Sequence, residues 1–174
     1  MSECVSLDPC RMFEHGCAFV DCAKYCEIEP NNIEYRMRSH TVSAIVNSAF
    51  ACEIFLKALL ISHGAPEKIL RGEKGRKGHD LSYLWEKFKE YDNETALSME
   101  QNMKNWFNSK NENMFYEMLA DISNAFEYWR YIYEKDSCKI NLNFLSGFRN
   151  LLKETCCKRV HGKSWTDYIQ NSGE

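Results

Sequence analysis

The sequence lacks most of the features that mark membrane, secreted or strongly basic proteins. It has no run of about 18 uninterrupted apolar residues, and its first residues lack the basic segment and apolar core of a secretory signal. The formal net charge of −3 excludes a broadly basic surface for nucleic acid, so any RNA contact has to be local. We therefore expect a soluble cytoplasmic protein that does not use a membrane.

Signals for disulfides and metals are also scarce, although the chain has nine cysteines. The number is odd and no CxxC pair occurs, which argues against a disulfide framework. Cys22 and Cys26 are spaced by one helical turn, and so are Cys157 and His161, which Cys156 accompanies. Both places lack a fourth ligand, so we expect neither a metal nor another cofactor.

Apolar residues recur at helical spacing, and no convincing strand pattern occurs. The predicted fold class is therefore all-α, an antiparallel helical bundle of five or six helices. The 174 residues fit one domain, with a core bundle at 8–160 and a loosely held tail at 161–174. A continuous helix over 33–63 would be unusually long, so we expect a break near 39–41. The helices are expected at about 9–28, 33–63, 81–92, 98–107, 112–134 and 142–159.

The most apolar stretch, residues 43–63, predicts a buried helix with Glu53 and Lys57 on one face. An ionised group on a buried helix is costly unless it has a partner. Arg130 and Glu134 have the same one-turn spacing later in the chain, so each can pair with an opposite charge on the central helix. The expected pairs are Glu53 with Arg130 and Lys57 with Glu134.

Two interpretations of these four charges stay open. They form either an ion network that fixes the register of two helices, or a polar pocket that binds a phosphate or a base. The walls of such a pocket would be Tyr128, Tyr131 and Tyr133.

Residues 64–78 combine glycines with basic side chains and predict a surface loop. Lys74, Arg76 and Lys77 lie among glycines that let a backbone approach an anion, so one interpretation is a phosphate-contacting loop. The order GxxxxGK[ST] of phosphate loops is absent, and the other interpretation is a solvated connection.

The sequence Gly-His-Asp-Leu at 78–81 predicts the start of a helix with Asp80 as its N-cap. His79 is either a general base or phosphate ligand beside the basic loop, or a structural side chain that bonds a neighbouring helix end. Both residues are therefore candidates for the site.

Three stretches occur in an order and spacing that are more specific than any one of them: ACEIFLKALL at 51–60, KGHDLSYLWEKF at 77–88 and AFEYWRYIYE at 125–134. Together they resemble the HEPN domains, all-helical modules of prokaryotic toxin–antitoxin and phage-defence systems and of some eukaryotic proteins. The resemblance spans about residues 40–160. It implies a helical bundle that tends to form homodimers, with RNA as the first substrate class to consider.

Active ribonucleases of that family carry an arginine followed after four to six residues by a histidine, and pairs of these motifs meet across a dimer interface. No arginine of this chain has a histidine at that distance. RNA cleavage without a metal needs a group that moves the 2′-hydroxyl proton, and histidine is the usual choice near neutral pH. This departure argues against ribonuclease activity and leaves the expected fold intact.

The sequence therefore predicts a non-catalytic HEPN-like protein that binds RNA, a nucleotide or a protein partner in a prokaryotic defence or stress system. One alternative is a metal-independent endoribonuclease with a displaced active site, for which the candidate catalytic residues are Arg130, Glu134 and His79. The other is an interaction module that pairs with a separately encoded nucleotidyltransferase or antitoxin. The candidate binding residues are Glu53, Lys57, Arg76, Lys77, His79, Asp80, Arg130, Tyr131 and Glu134.

Overall fold

The computed structural model describes residues 7–27, 34–73, 75–134 and 140–171, and this part of the chain is helical without any strand. The predicted all-α class is confirmed, whereas Lys74 lies outside the described residues. Short 3-10 helices occupy Glu67–Arg71 and Ile132–Glu134. The α-helices are α1 (Pro9–Glu27), α2 (Glu34–Ser62), α3 (Leu81–Tyr91), α4 (Asn93–Trp106), α5 (Met114–Ile122), α6 (Ala125–Arg130), α7 (Leu142–His161) and α8 (Trp165–Asn171).

Helix α2 is the centre of the bundle because it is apolar on nearly every side. It packs against α1, α3, α6 and α7. The break expected near 39–41 is wrong, since α2 continues through those residues and has no internal proline or glycine. Gly64, with a φ of +78°, follows its end. The fully buried side chains of α2 include Ala49, Cys52, Phe55, Leu56 and Leu59.

The composition of α2 would permit a membrane span, whereas its burial indicates a core helix. By length and composition, His40–Ser62 could cross a membrane, but 67% of its most apolar window is buried inside the protein. Burial of that extent is typical of the core helix of a soluble protein. The structure is therefore compatible with the soluble protein that the sequence predicts.

Helix α1 runs antiparallel to α2 and lies close against it. Phe13 packs on Phe55 with ring centroids 5.8 Å apart, and Phe19 packs on Phe50 at 4.5 Å. Gly16 permits this approach, because a Cβ there would lie 2.5 Å from the Phe55 ring. The sequence signal for α1, an apolar stripe after Asp8 and Pro9, thus predicts both the helix and its buried face.

Helix α7 runs antiparallel to α1 but in the same direction as α2. Glu27, the last residue of α1, binds Arg149 in the first half of α7. Arg149 also donates to Ser48, and Arg159 further along α7 donates to the carbonyl oxygen of Ser62 at the end of α2. Because α2 and α7 are parallel, the bundle is antiparallel only in part. The chain between these two helices forms α3, α4, α5 and α6.

The single helix predicted over 112–134 is wrong. The chain forms α5, α6 and a 3-10 helix instead, with a break at Ser123 and Asn124. The carbonyl oxygen of Ser123 accepts from the backbone N–H of Leu81 at 3.0 Å, and its hydroxyl donates to Asp80 at 2.8 Å. Ser123 thus completes the start of α3, and α5 ends at Ile122 although the predicted helix continues to residue 134.

The predicted helix start at Ser98 is also wrong, because α4 begins five residues earlier at Asn93. The side chain of Asp92 accepts from the backbone N–H of Thr95 at 3.0 Å and provides the N-cap. The backbone N–H of Asp92 donates to the carbonyl oxygen of Phe88 at the end of α3. One residue therefore separates two helices without a longer turn.

The last described residues are attached to the bundle and do not form a loose tail. Helix α8 places Trp165 and Tyr168 against Phe13, with ring centroids 6.1 and 5.8 Å away. The backbone N–H of Trp165 donates to Glu154 of α7 at 3.0 Å. Aromatic contacts that return to α1 thus hold a segment that composition alone describes as polar and terminal.

Candidate functional site

The centre of the site is the carboxylate of Glu53, which is 2% exposed. Helix α2 turns this side chain towards the loop before α3. Lys57, one turn later, donates to Glu53 Oε1 at 2.7 Å, and Nδ1 of His79 lies 2.9 Å from both carboxylate oxygens. Glu53 thus has the partners that a buried anion requires.

Of the two partners of Glu53, His79 is the one that a ligand can reach, because its side chain is 45% exposed. An ionised carboxylate accepts hydrogen bonds only, so Nδ1 of His79 carries a proton when it binds Glu53. The other ring nitrogen, Nε2, is then an acceptor in the neutral imidazole. A histidine oriented in this way is able to take a proton from a substrate hydroxyl.

The predicted pairing of Glu53 with Arg130 and of Lys57 with Glu134 is wrong. Glu53 binds Lys57 of its own helix and His79, so its carboxylate is satisfied without Arg130. Glu134 lies exposed at the end of a 3-10 helix, and no described contact joins it to Lys57. The reason is that the helix carrying Arg130 is broken on both sides, so it does not continue alongside α2.

Arg130 instead lies exposed over two aromatic rings. Its guanidinium carbon is 5.0 Å from the centroid of Phe126 and 5.4 Å from that of Tyr131. Its Nη2 donates weakly to the Tyr131 hydroxyl at 3.4 Å. Within the described part of the chain, Arg130 forms no ion pair, so its charge is available at the surface.

Phe126 connects the two halves of the site, and it is not among the residues that the sequence predicts for the site. Its ring stacks on Phe50 of α2 at 4.6 Å, and the His79 ring lies 5.7 Å away from it. Arg130 covers the same ring from its own helix. The available signal was that Phe126 precedes Arg130 by one helical turn, which places both on one face.

The basic loop is compensated by acidic partners. Arg76 binds both Asp80 and Glu86, and Lys77 binds Glu127 of α6 at 2.7 Å. These pairs fasten the loop to α3 and α6, so Arg76 and Lys77 have a structural use that the phosphate interpretation did not anticipate. A phosphate would have to displace carboxylates from them.

Asp80 is the N-cap of α3, as the sequence predicts. Its side chain accepts from the backbone N–H of Tyr83 at 3.0 Å, from the Ser123 hydroxyl and from Arg76. Burial alone would raise the pKa of Asp80, but these hydrogen bonds outweigh it and lower the pKa. Asp80 therefore stays ionised and positions the adjacent His79.

Two cysteine clusters do not assemble into a metal site. Cys22 is exposed, whereas Cys156 and Cys157 are buried, and burial raises the pKa of both buried thiols. His161 packs between Phe13 and Tyr168. No group of three or more metal-binding side chains comes together among the residues that the structure describes.

No family model matches this chain, and no curated protein or solved structure matches it either. The functional interpretation therefore depends on the geometry of Glu53, His79, Phe126 and Arg130 and on the sequence resemblance.

Proposed function

We propose that this chain is a HEPN-like helical protein that binds RNA through the face formed by His79, Phe126, Arg130 and Tyr131. The main support for the proposal is that residues far apart in the sequence lie close together in the structure. Glu53, His79 and Arg130 come from the three separate stretches on which the family resemblance rests, and Phe126 brings the last two together. His79 and Arg130 are thus exposed beside the same aromatic ring, while the buried carboxylate of Glu53 orients His79 from behind.

The chemistry of this face suits a single-stranded RNA. Exposed Arg130 lies on the rings of Phe126 and Tyr131, and an arginine stacked on aromatic rings can contact a phosphate while a base stacks beside it. Most other basic groups near the site are paired with carboxylates. The contact is therefore expected to be local, in agreement with the net charge of −3.

The binding proposal is tested by anisotropy of a labelled single-stranded RNA with wild type and Arg130→Gln. Loss of this one cation is expected to weaken RNA binding about ten-fold. The slope of the logarithm of the binding constant against the logarithm of the salt concentration should become less steep by about one. Arg11→Gln, at an exposed position at the start of α1, removes the same charge and serves as the control. Equal affinity of the two variants would reject this face as the binding site.

A second candidate function is metal-independent RNA cleavage, which the Glu53–His79 pair favours. In this reaction Nε2 of His79 takes the 2′-hydroxyl proton, and the freed 2′-oxygen forms a bond to phosphorus. The bond from phosphorus to the 5′-oxygen breaks, and water supplies the proton to the leaving oxygen. Arg130 would stabilise the charge on phosphorus, whereas no described contact supports a role for Glu134.

The enzyme candidate is tested by incubating the protein with RNA in EDTA. Cleavage has to yield a 2′,3′-cyclic phosphate, disappear in His79→Gln, and fail on RNA with a 2′-deoxy residue at the cut. Binding without cleavage in all samples would reject the enzyme candidate and retain the binding function.

We extend the proposal to a cytoplasmic homodimer, which the family resemblance implies. Light scattering on the purified chain measures the oligomeric state directly. If the chain neither binds RNA nor cleaves it, pairing with a nucleotidyltransferase or antitoxin becomes the favoured function, and genomic neighbours identify the proteins to test.

A further inference from the structure

A cavity of about 310 Å³ lies where the end of α1, the first half of α2 and the start of α7 meet. None of the candidate residues of the His79 face lines it. Its volume falls at the lower end of the range for ligand pockets, roughly 300–1,000 Å³. The cavity is therefore large enough for a small molecule and is separate from the proposed RNA face.

A buried arginine fixes two residues of the cavity wall. Arg149 is 1% exposed, and its Nη1 donates to Glu27 Oε1 and to the Ser48 hydroxyl, both at 2.7 Å. Its Nη2 donates to the other oxygen of Glu27 at 3.3 Å. Glu27 and Ser48 line the cavity. Because a buried charge holds both side chains, this part of the wall is formed before any ligand arrives.

The cavity combines apolar sides with a few polar groups. Ala44 and Ile45 of α2 line it together with Leu142 and Leu145 of α7. Such sides suit a flat ring, whose edge can exchange hydrogen bonds with polar groups of the wall. Ser48 supplies a hydroxyl proton, because its oxygen already accepts from Arg149, and the amide of Asn143 offers both donors and an acceptor.

The carboxylate of Glu27 makes its part of the described wall unfavourable for anions. Glu27 is the carboxylate of the lining, and Arg149 already donates to it through two nitrogens. A phosphate in the cavity would face Glu27 while the nearby arginine is occupied. Repulsion between like charges at a binding site is unfavourable, so a neutral ligand fits better than a phosphorylated one.

We propose that this cavity binds an uncharged heterocycle of the nucleobase or nucleoside class. The ring lies between the apolar side chains of α2 and α7, and its edge hydrogen-bonds to Ser48 and Asn143. This inference does not depend on RNA binding at the Arg130 face, since the two sites share no residue.

The test titrates adenosine, guanosine, cytidine and uridine, each with its 5′-monophosphate, into the full chain by calorimetry. At least one nucleoside is expected to bind with a dissociation constant below about 1 mM, and its monophosphate at least about ten-fold more weakly. Absence of binding by all four nucleosides overturns the proposal. Equal binding of the monophosphate overturns the exclusion of anions.

Variants locate the binding. Ser146→Phe fills the cavity without removing a partner of Arg149, and Leu142→Trp narrows it from an exposed position, so one serves if the other does not fold. Both are expected to abolish nucleoside binding. Ser98→Phe makes the same substitution at an exposed position of α4, away from this cavity, and should bind the nucleoside as wild type does.

Arg130→Gln separates this site from the proposed RNA face. Nucleoside binding should be unchanged in that variant, even where RNA binding is lost. Loss of nucleoside binding in Arg130→Gln, or its retention in the two cavity variants, would assign the nucleoside to another place and overturn the inference.

Discussion

The carboxylate of Glu53 is bound by two side chains from different elements, Lys57 of its own helix and His79 of the loop before α3. Each partner stabilises the buried charge, and the charge in turn holds an exposed imidazole in one orientation. The residue is therefore both a structural tie between α2 and α3 and the orienting group of the candidate site.

Glu53→Gln tests this tie. The variant keeps the shape of the side chain but leaves Lys57 without its anion, and we expect a loss of about 2 kcal/mol of unfolding free energy. The measurement is urea denaturation. Glu86→Gln removes an exposed carboxylate of a surface ion pair and should cost less than about 0.5 kcal/mol. Similar losses in the two variants would show that Glu53 behaves as a surface charge.

His63 provides a test of pH dependence. Burial lowers the pKa of His63 below its ordinary value of 6.5, with a further contribution from Arg159, while Asp92 opposes the shift. The unfolded chain therefore takes up a proton at higher pH than the folded chain does. Stability contributed by neutral His63 is present above pH 6.5 and is lost as the pH falls below that value.

We expect the urea midpoint to decrease between about pH 7.5 and about pH 5.5, and to decrease less in His63→Gln. His15→Gln, at an exposed position on α1, controls for removal of a histidine. If wild type and His63→Gln have parallel pH profiles, His63 does not contribute to the dependence.

Among the elements, α3 has a start that depends on another helix. Asp80 accepts from Tyr83 of α3, while Ser123 after α5 donates to Asp80 and accepts from the backbone of Leu81. A local capping residue is thus supported by a residue 43 positions away. This junction fixes His79, because His79 is adjacent to the cap.

Asp80→Ala is expected to cost about 1–2 kcal/mol of unfolding free energy, since it removes the N-cap and takes one acceptor away from each of Ser123 and Arg76. Thermal unfolding followed by circular dichroism measures the effect. Asp121→Ala, at an exposed position in α5, is the matched control and should change stability by less than about 0.5 kcal/mol. If Asp80→Ala lost no more stability than Asp121→Ala, the capping role of Asp80 would be contradicted.

At the scale of the whole molecule, helix α8 near the end of the described chain packs against α1 near its beginning. Trp165 contacts Phe13 of α1, and the ammonium group of Lys153 lies 4.0 Å from the centroid of its indole ring. Burial lowers the pKa of Lys153, with a smaller contribution from the charge of Lys24. The aromatic face of α8 therefore covers part of the core and a buried amine at the same time.

Trp165→Ala should reduce the free energy of unfolding by roughly 2 kcal/mol, because a half-buried indole loses contact with Phe13 and Lys153. Urea denaturation gives the value. Ile169→Ala, on an exposed position of the same helix, is expected to have little effect. A negligible loss in Trp165→Ala would mean that α8 does not contribute to the stability of the bundle.

Several features followed from local sequence. The start of α1 after Asp8 and Pro9, the burial of α2 and the cap at Asp80 each depend on residues within a few positions. Hydrophobic periodicity and capping are local effects, so one sequence is enough to predict them. The need of Glu53 for a partner was equally readable, because its neighbours on α2 are apolar.

Other features were decided only by the tertiary structure. The partner of Glu53 is His79 and not Arg130, the ring of Phe126 joins two stretches, and Arg149 builds a cavity wall from three helices. Spacing in the chain tells which residues share a helix face, but not which face of another helix lies opposite. That choice depends on where helices break, and Ser123 ends α5 because of a contact with α3 that no local pattern contains.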